Sequence, residues 1–118
     1  MSERNAEVLL VDALSRQVAA PVSLSVPSPR PSEFVTVERV GGGFSGVGRS
    51  RSDRPLLAVQ YWAASRLEAS DGAKRLSEVL QVLSGKGRFA RINVTSVTNF
   101  PSEKQPRYQL LVDCFMRP

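Results

Sequence analysis

Residues 41–54 are the stretch of sequence whose residue types best suit binding to an anion. The stretch begins with three consecutive glycines and ends with a cluster of three arginines. A glycine-rich loop holds a phosphate when it leads from a strand into the N-terminus of a helix, usually with a lysine nearby. This stretch contains no lysine and leads into a second apolar, strand-like run. We therefore expect no nucleotide site here.

The arginine cluster consists of Arg49, Arg51 and Arg54, and Phe44 precedes it. Such a cluster suits contact with a phosphate backbone or with an acidic patch on another protein, although it also suits a solvated loop without a partner. Base recognition is disfavoured because no series of aromatic residues accompanies the arginines. We predict that these four residues contact a partner without reading nucleic-acid sequence.

Few side chains in this sequence can support catalysis. Histidine, the commonest general base and metal ligand, is absent. The single cysteine, Cys114, falls in an alternating apolar strand, where a small core residue is more typical than a nucleophile. The acidic residues are scattered, with no pair at the spacing of a metal site or an acid–base pair. We predict no catalytic residue, no cofactor and no metal site.

Length and composition predict a single domain over residues 1–118. The net charge of +5 favours tolerance of a nearby polyanion but does not by itself indicate nucleic-acid binding. A lone cysteine cannot form an internal disulfide, so the fold needs no oxidising compartment. The sequence has no apolar run long enough to span a bilayer and no signal-like N-terminus, so we expect synthesis in the cytoplasm and no membrane contact.

Apolar periodicity predicts two helices. In residues 5–20, leucine and valine recur at spacings of three and four, and Pro21 ends the pattern. Ser65 and Glu68 have the spacing of a capping box, which opens a second helix that ends near Gly85.

Alternation of apolar and polar residues predicts five strands. They lie near residues 22–26, 34–40, 56–63, 92–97 and 107–116. A bulge near Ser96 keeps the fourth strand in register. The element order α-β-β-β-α-β-β predicts an α+β fold of two layers, with a mainly antiparallel sheet of about five strands and both helices on one face. Residues 41–54 form a long flexible loop in this arrangement.

Two of the predicted strands are apolar on both faces. Trp62 lies in one of them, and Leu111 and Phe115 lie in the last strand, on the side opposite its main apolar face. Helices cover only one face of the predicted sheet, so a second apolar face needs another partner. We predict that these three residues lie at an interface with another subunit.

Three stretches of the chain carry a family resemblance. They are residues 29–43 (PRPSEFVTVERVGGG), residues 55–64, which end in QYWAA, and the closing strand that begins Pro106-Arg107-Tyr108. Together with the helix-then-strand opening, they resemble the tail terminator proteins of long-tailed (siphovirus-type) bacteriophages, especially those of actinobacterial hosts. The resemblance runs in order through nearly the whole chain and includes no catalytic signature.

The resemblance implies a structural protein of the virion and not an enzyme. Such proteins form a ring, usually of six subunits, on the head-proximal end of the tail tube. The ring stops growth of the tube and offers a docking face for the head connector. The implied partners are further copies of the chain, the major tail tube protein, the head–tail connector, and genomic DNA that passes without sequence recognition. Assembly is expected in the host cytoplasm.

The residue patterns leave two alternative functions open. One is another neck or tail-completion protein, a role that similar small α+β domains also serve. The other is a small, non-specific nucleic-acid-binding domain that uses the arginine cluster. The affinity of such a domain for DNA falls steeply with salt, which separates it from a ring protein.

Overall fold

The computed structural model of the chain describes residues 5–45, 52–101 and 105–118. Two helices and five strands follow the order α-β-β-β-α-β-β, which confirms the predicted order. Their bounds are α1 Ala6–Ser15, β1 Val22–Ser23, β2 Phe34–Ser45, β3 Ser52–Trp62, α2 Arg66–Leu83, β4 Phe89–Phe100 and β5 Arg107–Met116.

The five strands form one sheet in the order β1-β2-β3-β5-β4. The short β1 runs parallel to β2, and the other neighbouring pairs are antiparallel. Val59 of β3 and its cross-strand partner Leu110 of β5 are fully buried in one core with Leu14 of α1 and Leu80 of α2. Both helices therefore cover the same face of a mainly antiparallel sheet, which confirms the predicted two-layer α+β fold.

Helix α1 is shorter than predicted. It begins where the Asn5 side chain accepts a hydrogen bond from the backbone N–H of Glu7 at 2.8 Å. It ends at Ser15, because the Leu14 carbonyl accepts bonds from two later N–H groups and closes a tight final turn.

Helix α2 has the predicted capping box and lies unusually close to the sheet. The Ser65 hydroxyl accepts a bond from the backbone N–H of Glu68 at 3.2 Å and donates one to the Glu68 carboxylate at 2.9 Å. Gly85 follows the helix at φ +88°, as expected after a helix end. A Cβ atom on Gly72 would lie 2.2 Å from the Tyr61 ring, so this glycine lets the helix rest on that ring.

The prediction of a long loop at residues 41–54 is wrong for residues 41–45 and 52–54, the part of this stretch that the structure describes. Residues 41–45 pair with residues 52–56 and extend the β2–β3 hairpin. The register shifts between Arg39 and Gly41, and Gly42 has a φ of +92° that suits such a bulge. Apolar periodicity does not reveal this extension because the pairing is made by backbone groups of glycine.

The first and fourth strands differ in how well they match expectation. The first pairs with β2 only at Val22 and Ser23, since the Ser23 hydroxyl donates to the Ser25 carbonyl and the chain bends away. In the fourth, the register shifts between Val94 and Ser96, which confirms the predicted bulge.

Candidate functional site

The sheet face opposite α1 and α2, which we call the open face, carries all three predicted interface residues. It is formed by alternate residues of β2, β3 and β5: Phe34, Thr36, Leu56, Ala58, Gln60, Trp62, Arg107, Gln109, Leu111, Asp113 and Phe115. Trp62, Leu111 and Phe115 are each half-buried and keep accessible surface. The open face is thus partly apolar, and neither α1 nor α2 covers it.

Trp62 is fixed in place at one end of the open face. Phe34 stacks on its ring with centroids 5.3 Å apart and planes 12° from parallel. Its indole N–H donates a hydrogen bond to the Thr36 hydroxyl at 3.1 Å. The guanidinium carbon of Arg107 lies 4.6 Å from the same ring. Trp62 is therefore a rigid support more than an exposed apolar anchor.

Arg107 is held between two aromatic rings. Its guanidinium carbon lies 4.9 Å from the Phe100 ring as well as close to Trp62, and that of Arg30 lies 5.8 Å from the Trp62 ring. Among the described residues, no carboxylate forms an ion pair with Arg107 or Arg30, and the buried Nε of Arg107 has no hydrogen-bond partner. This end of the face is positive and pre-ordered for an anionic group.

A second arginine–aromatic pair lies at the other end of the open face. The guanidinium carbon of Arg54 is 4.3 Å from the Phe115 ring, and that of Arg91 is 6.0 Å from it. Arg54 also forms an ion pair with Asp113 at 3.3 Å. Because its charge is partly neutralised, this pair attracts an anion less strongly than the Arg107 cluster does.

Of the four predicted contact residues, Phe44 and Arg54 lie close together. Phe44 and Arg54 line one groove of about 430 Å³, with Leu56 and Asp113 in its wall. Phe44 is 62% exposed. Arg49 and Arg51 lie outside the described residues.

Sequence reasoning missed Arg107, Phe100 and Arg30. Phe100 and Arg107 face each other across the β4–β5 pair, and Arg107 faces Trp62 across the β3–β5 pair. An aromatic residue and an arginine on either side of the polar sequence 101–106 were a usable signal for the first contact. The second contact depends on β3 lying next to β5, which chain order alone does not reveal.

On the helix-covered face, the polar groups are used in structural contacts. The Tyr61 hydroxyl donates a short hydrogen bond to the Glu33 carboxylate and accepts one from Arg75 at 3.3 Å. Burial, followed by the bond to Glu33, raises the pKa of the Tyr61 phenol. The group is therefore protonated at neutral pH and does not serve as a base.

Cys114 is buried and unsuited to nucleophilic chemistry. Burial raises the pKa of its thiol to about 12, with smaller contributions from the Asp113 and Asp53 charges. A protonated, inaccessible thiol is inert. In the described part of the chain, no three acidic or cysteine side chains are grouped closely enough to hold a metal ion. No described helix is long and apolar enough to cross a membrane.

Comparison with solved structures shows a likeness that extends over most of the chain. The fold is similar to that of a protein chain in a structure described as the virion of a native gene transfer agent (GTA) particle. The TM-score is 0.67 and the sequence identity is 15%, and the match covers 96% of this chain and 87% of that chain. No protein-family model and no curated protein matches the sequence. The likeness shows a shared fold over nearly the full length.

Proposed function

We propose that this chain is a structural protein of a tailed, phage-like virion. The observation that carries the proposal is the fold shared, over 96% of the chain, with a protein chain in a gene transfer agent virion. The sequence resemblance to tail terminators of long-tailed phages supports the same class of particle. A shared fold does not by itself establish function, because one fold can serve many functions. The proposal therefore rests on the shared fold and the sequence resemblance together.

Within that class, the proposed role is termination of the tail. Copies of the chain form a ring, six in number by the resemblance, on the head-proximal end of the tail tube. The ring ends polymerisation of the tube protein and offers a docking face to the head connector. The support for this position is the sequence resemblance, which runs through β2, β3 and the start of β5.

The open face supplies contact surfaces suited to this role. Leu111 and Phe115 are half-buried apolar groups on the face that neither described helix covers, and we assign them with Trp62 to contact with a neighbouring subunit. We assign Arg54, with Arg49, Arg51 and Phe44, to contact with a partner protein or with the passing genome. Phosphate contacts of this kind orient nucleic acid and carry no sequence information.

A non-enzymatic role is supported by the state of the two candidate reactive groups. The Tyr61 phenol is bonded to Glu33 and Arg75, and the Cys114 thiol is buried with a pKa of about 12. Neither group is free to act as a base or nucleophile at neutral pH.

Base stacking is disfavoured by the same geometry that orders the open face. Phe34 covers one side of the Trp62 ring and Arg107 lies over it as well, so a nucleic-acid base cannot stack there. A nucleic-acid-binding domain would therefore depend on charge alone, and its affinity would fall steeply with salt.

The test is assembly of particles in cells whose virus or gene transfer agent lacks this chain. We expect overlong tails without heads, and normal particles when the wild-type chain is supplied from a plasmid. Electron micrographs give both tail length and head attachment. Headless tails of normal length would instead indicate another neck or tail-completion protein, and normal particles would contradict a virion role.

A further inference from the structure

Exposed apolar side chains are concentrated at the two outer edges of the sheet. Seven large apolar side chains are exposed in the described part of the chain, and two of these, Leu67 and Val82, are on α2. The other five lie in or near the outer strands of the sheet: Val97 in β4, Leu24 and Val26 after β1, and Val40 and Phe44 in β2 beyond the part that β1 covers. Apolar exposure concentrated on edges favours contact along the edges and not across the helices.

Residues 96–100 of the β4 edge lack the usual protection against pairing with another strand. Among the described residues, β4 pairs with β5 alone, so its outer side is open. Residues 92–100 include no charged residue, no proline and no glycine. Edge strands normally carry such residues, or bulges, to prevent association. The bulge before Ser96 leaves residues 96–100 regular and open.

The opposite edge is blocked at one end and open at the other. Strand β1 covers β2 only at Val35 and Thr36, and the Glu7 carboxylate accepts the backbone N–H of Arg39 at 2.8 Å. After the bulge at Val40, residues 41–45 pair with β3 on one side, and no described strand pairs with their other side. This open stretch is also free of charge.

The two open edges run in directions that fit each other. Strand β2 is antiparallel to β3, β3 to β5, and β5 to β4, so β4 runs opposite to β2. A β4 strand from one copy placed beside β2 of the next copy therefore continues the antiparallel sheet. Each copy would use one edge as donor and the other as acceptor, which is a head-to-tail contact.

We propose that copies of this chain join through their sheet edges, residues 96–100 of one copy pairing with residues 41–45 of the next. This contact deepens the proposed ring and rests on that proposed function. It joins the sheets of neighbouring copies edge to edge, and the open-face residues Trp62, Leu111 and Phe115 stay assigned to a second contact with a neighbouring subunit. The edge contact is made by backbone groups and uncharged side chains, which matters because copies with a net charge of +5 repel one another.

The positions of the two stretches require an offset between neighbouring copies. Thr98 lies in the cross-strand row that contains Thr36, whereas residues 41–45 lie toward the hairpin tip. The row of Thr36 and that of Gly43 are separated by roughly seven residues, or about 20 Å. Neighbouring sheets are thus staggered along their strands, as the strands of a closed barrel are.

The test uses two variants that each damage one edge. Val97→Lys places a charge on β4, and Val40→Lys places one beside the open stretch of β2. Both side chains are about half exposed, so we expect both variants to fold. Leu67→Lys on α2 is the matched control, since it makes the same kind of change away from both edges. Circular dichroism checks the fold, and sedimentation velocity up to about 1 mM protein measures assembly, since even weak contacts are populated there.

We expect wild type and Leu67→Lys to self-associate, and each edge variant to associate about tenfold or more weakly, because an unpaired charge is costly to bury. An equimolar mixture of the two edge variants should give a dimer that grows no further, since each retains one intact edge.

Three outcomes would overturn the edge contact. They are a wild-type chain that stays monomeric, edge variants that assemble like wild type, and a Val40→Lys variant that dimerises alone through β4. None of these outcomes changes the expected tail length, so the proposed virion role is tested separately by electron microscopy of tails made without this chain.

Discussion

The two faces of the sheet are built from the same strands but differ in what covers them. On the helix-covered face, Val59 and Leu110 are fully buried beneath Leu76 and Leu80. On the open face, Gln109, Leu111 and Asp113 of β5 are half-buried, and neither α1 nor α2 covers them. The comparison indicates that the helix-covered face stabilises the fold, and it supports our proposal that the open face serves assembly.

The two faces also differ in whether their arginines have partners within the chain. On the helix-covered face, Tyr61, Glu33 and Arg75 are bonded to one another. On the open face, Arg107 is ordered by Trp62 and Phe100 but has no carboxylate partner within the described residues. An arginine ordered by rings and lacking a counter-charge is suited to an acidic group on another molecule.

The largest contrast is expected from removing a leucine on each face. Leu76→Ala should lower the free energy of unfolding by about 2–5 kcal/mol, because it leaves a cavity in a closed core. Leu111→Ala should cost about 1 kcal/mol or less, since part of the side chain already meets solvent. Urea denaturation of both variants measures the difference. Equal losses would show that the open face is core structure too.

Alkaline pH should reveal the burial of Cys114 beneath the helices. The folded thiol has a pKa of about 12, against an ordinary 9.0, so the unfolded chain loses this proton first and stability falls as pH rises through that window. Between about pH 9 and about pH 11, the thiol should remove about 2 kcal/mol of unfolding free energy.

Cys114→Ala is the control for this pH effect. The pKa of the Tyr61 phenol is raised as well and contributes a loss of the same sign in both proteins. The difference in slope between wild type and variant therefore isolates the thiol. Identical slopes would mean that the thiol is not shielded by the core.

The close approach of α2 to the sheet should be sensitive to a single methyl group. Gly72→Ala introduces a Cβ atom 2.2 Å from the Tyr61 ring, and the cost of overpacking should exceed the gain in helix propensity by about 1–2 kcal/mol. Thermal unfolding measures the loss. In the background of Tyr61→Ala, the same change should cost much less, and an unchanged cost would place the clash elsewhere.

The smallest effect is expected from the ion pair on the open face. Arg54 and Asp113 lie 3.3 Å apart, with about half of the arginine side chain exposed. Arg54→Gln should lower stability by about 1 kcal/mol or less, and high salt should reduce the loss further. A double-mutant cycle with Asp113→Asn measures the coupling. A larger, salt-independent coupling would mean that the open face is sealed even in the free chain.

Local patterns in the sequence predicted most of the covered face. The capping box at Ser65 and Glu68 fixed the start of α2, and the broken alternation around Ser96 located the bulge in β4. These features depend on neighbours in the chain. The paired extension of residues 41–45 was missed because glycine pairing leaves no apolar pattern.

The open face was harder to predict, because it depends on which strands lie side by side. Trp62, Leu111 and Phe115 were identified as spare apolar groups, and they do lie on one face. Arg107 was missed because its position between Trp62 and Phe100 requires β5 between β3 and β4. Sequence pattern gives the faces of each strand but not the order of the strands.

Side-chain footprinting compares the two faces most directly. Hydroxyl radicals oxidise accessible leucine, valine and aromatic side chains, and mass spectrometry can measure oxidation in the free chain and in assembled particles. We expect Leu111 and Phe115 on the open face to become protected in the particle, while Leu67 and Val82 on α2 stay reactive. Protection of the α2 residues, with Leu111 and Phe115 unchanged, would contradict the assignment of the open face to assembly.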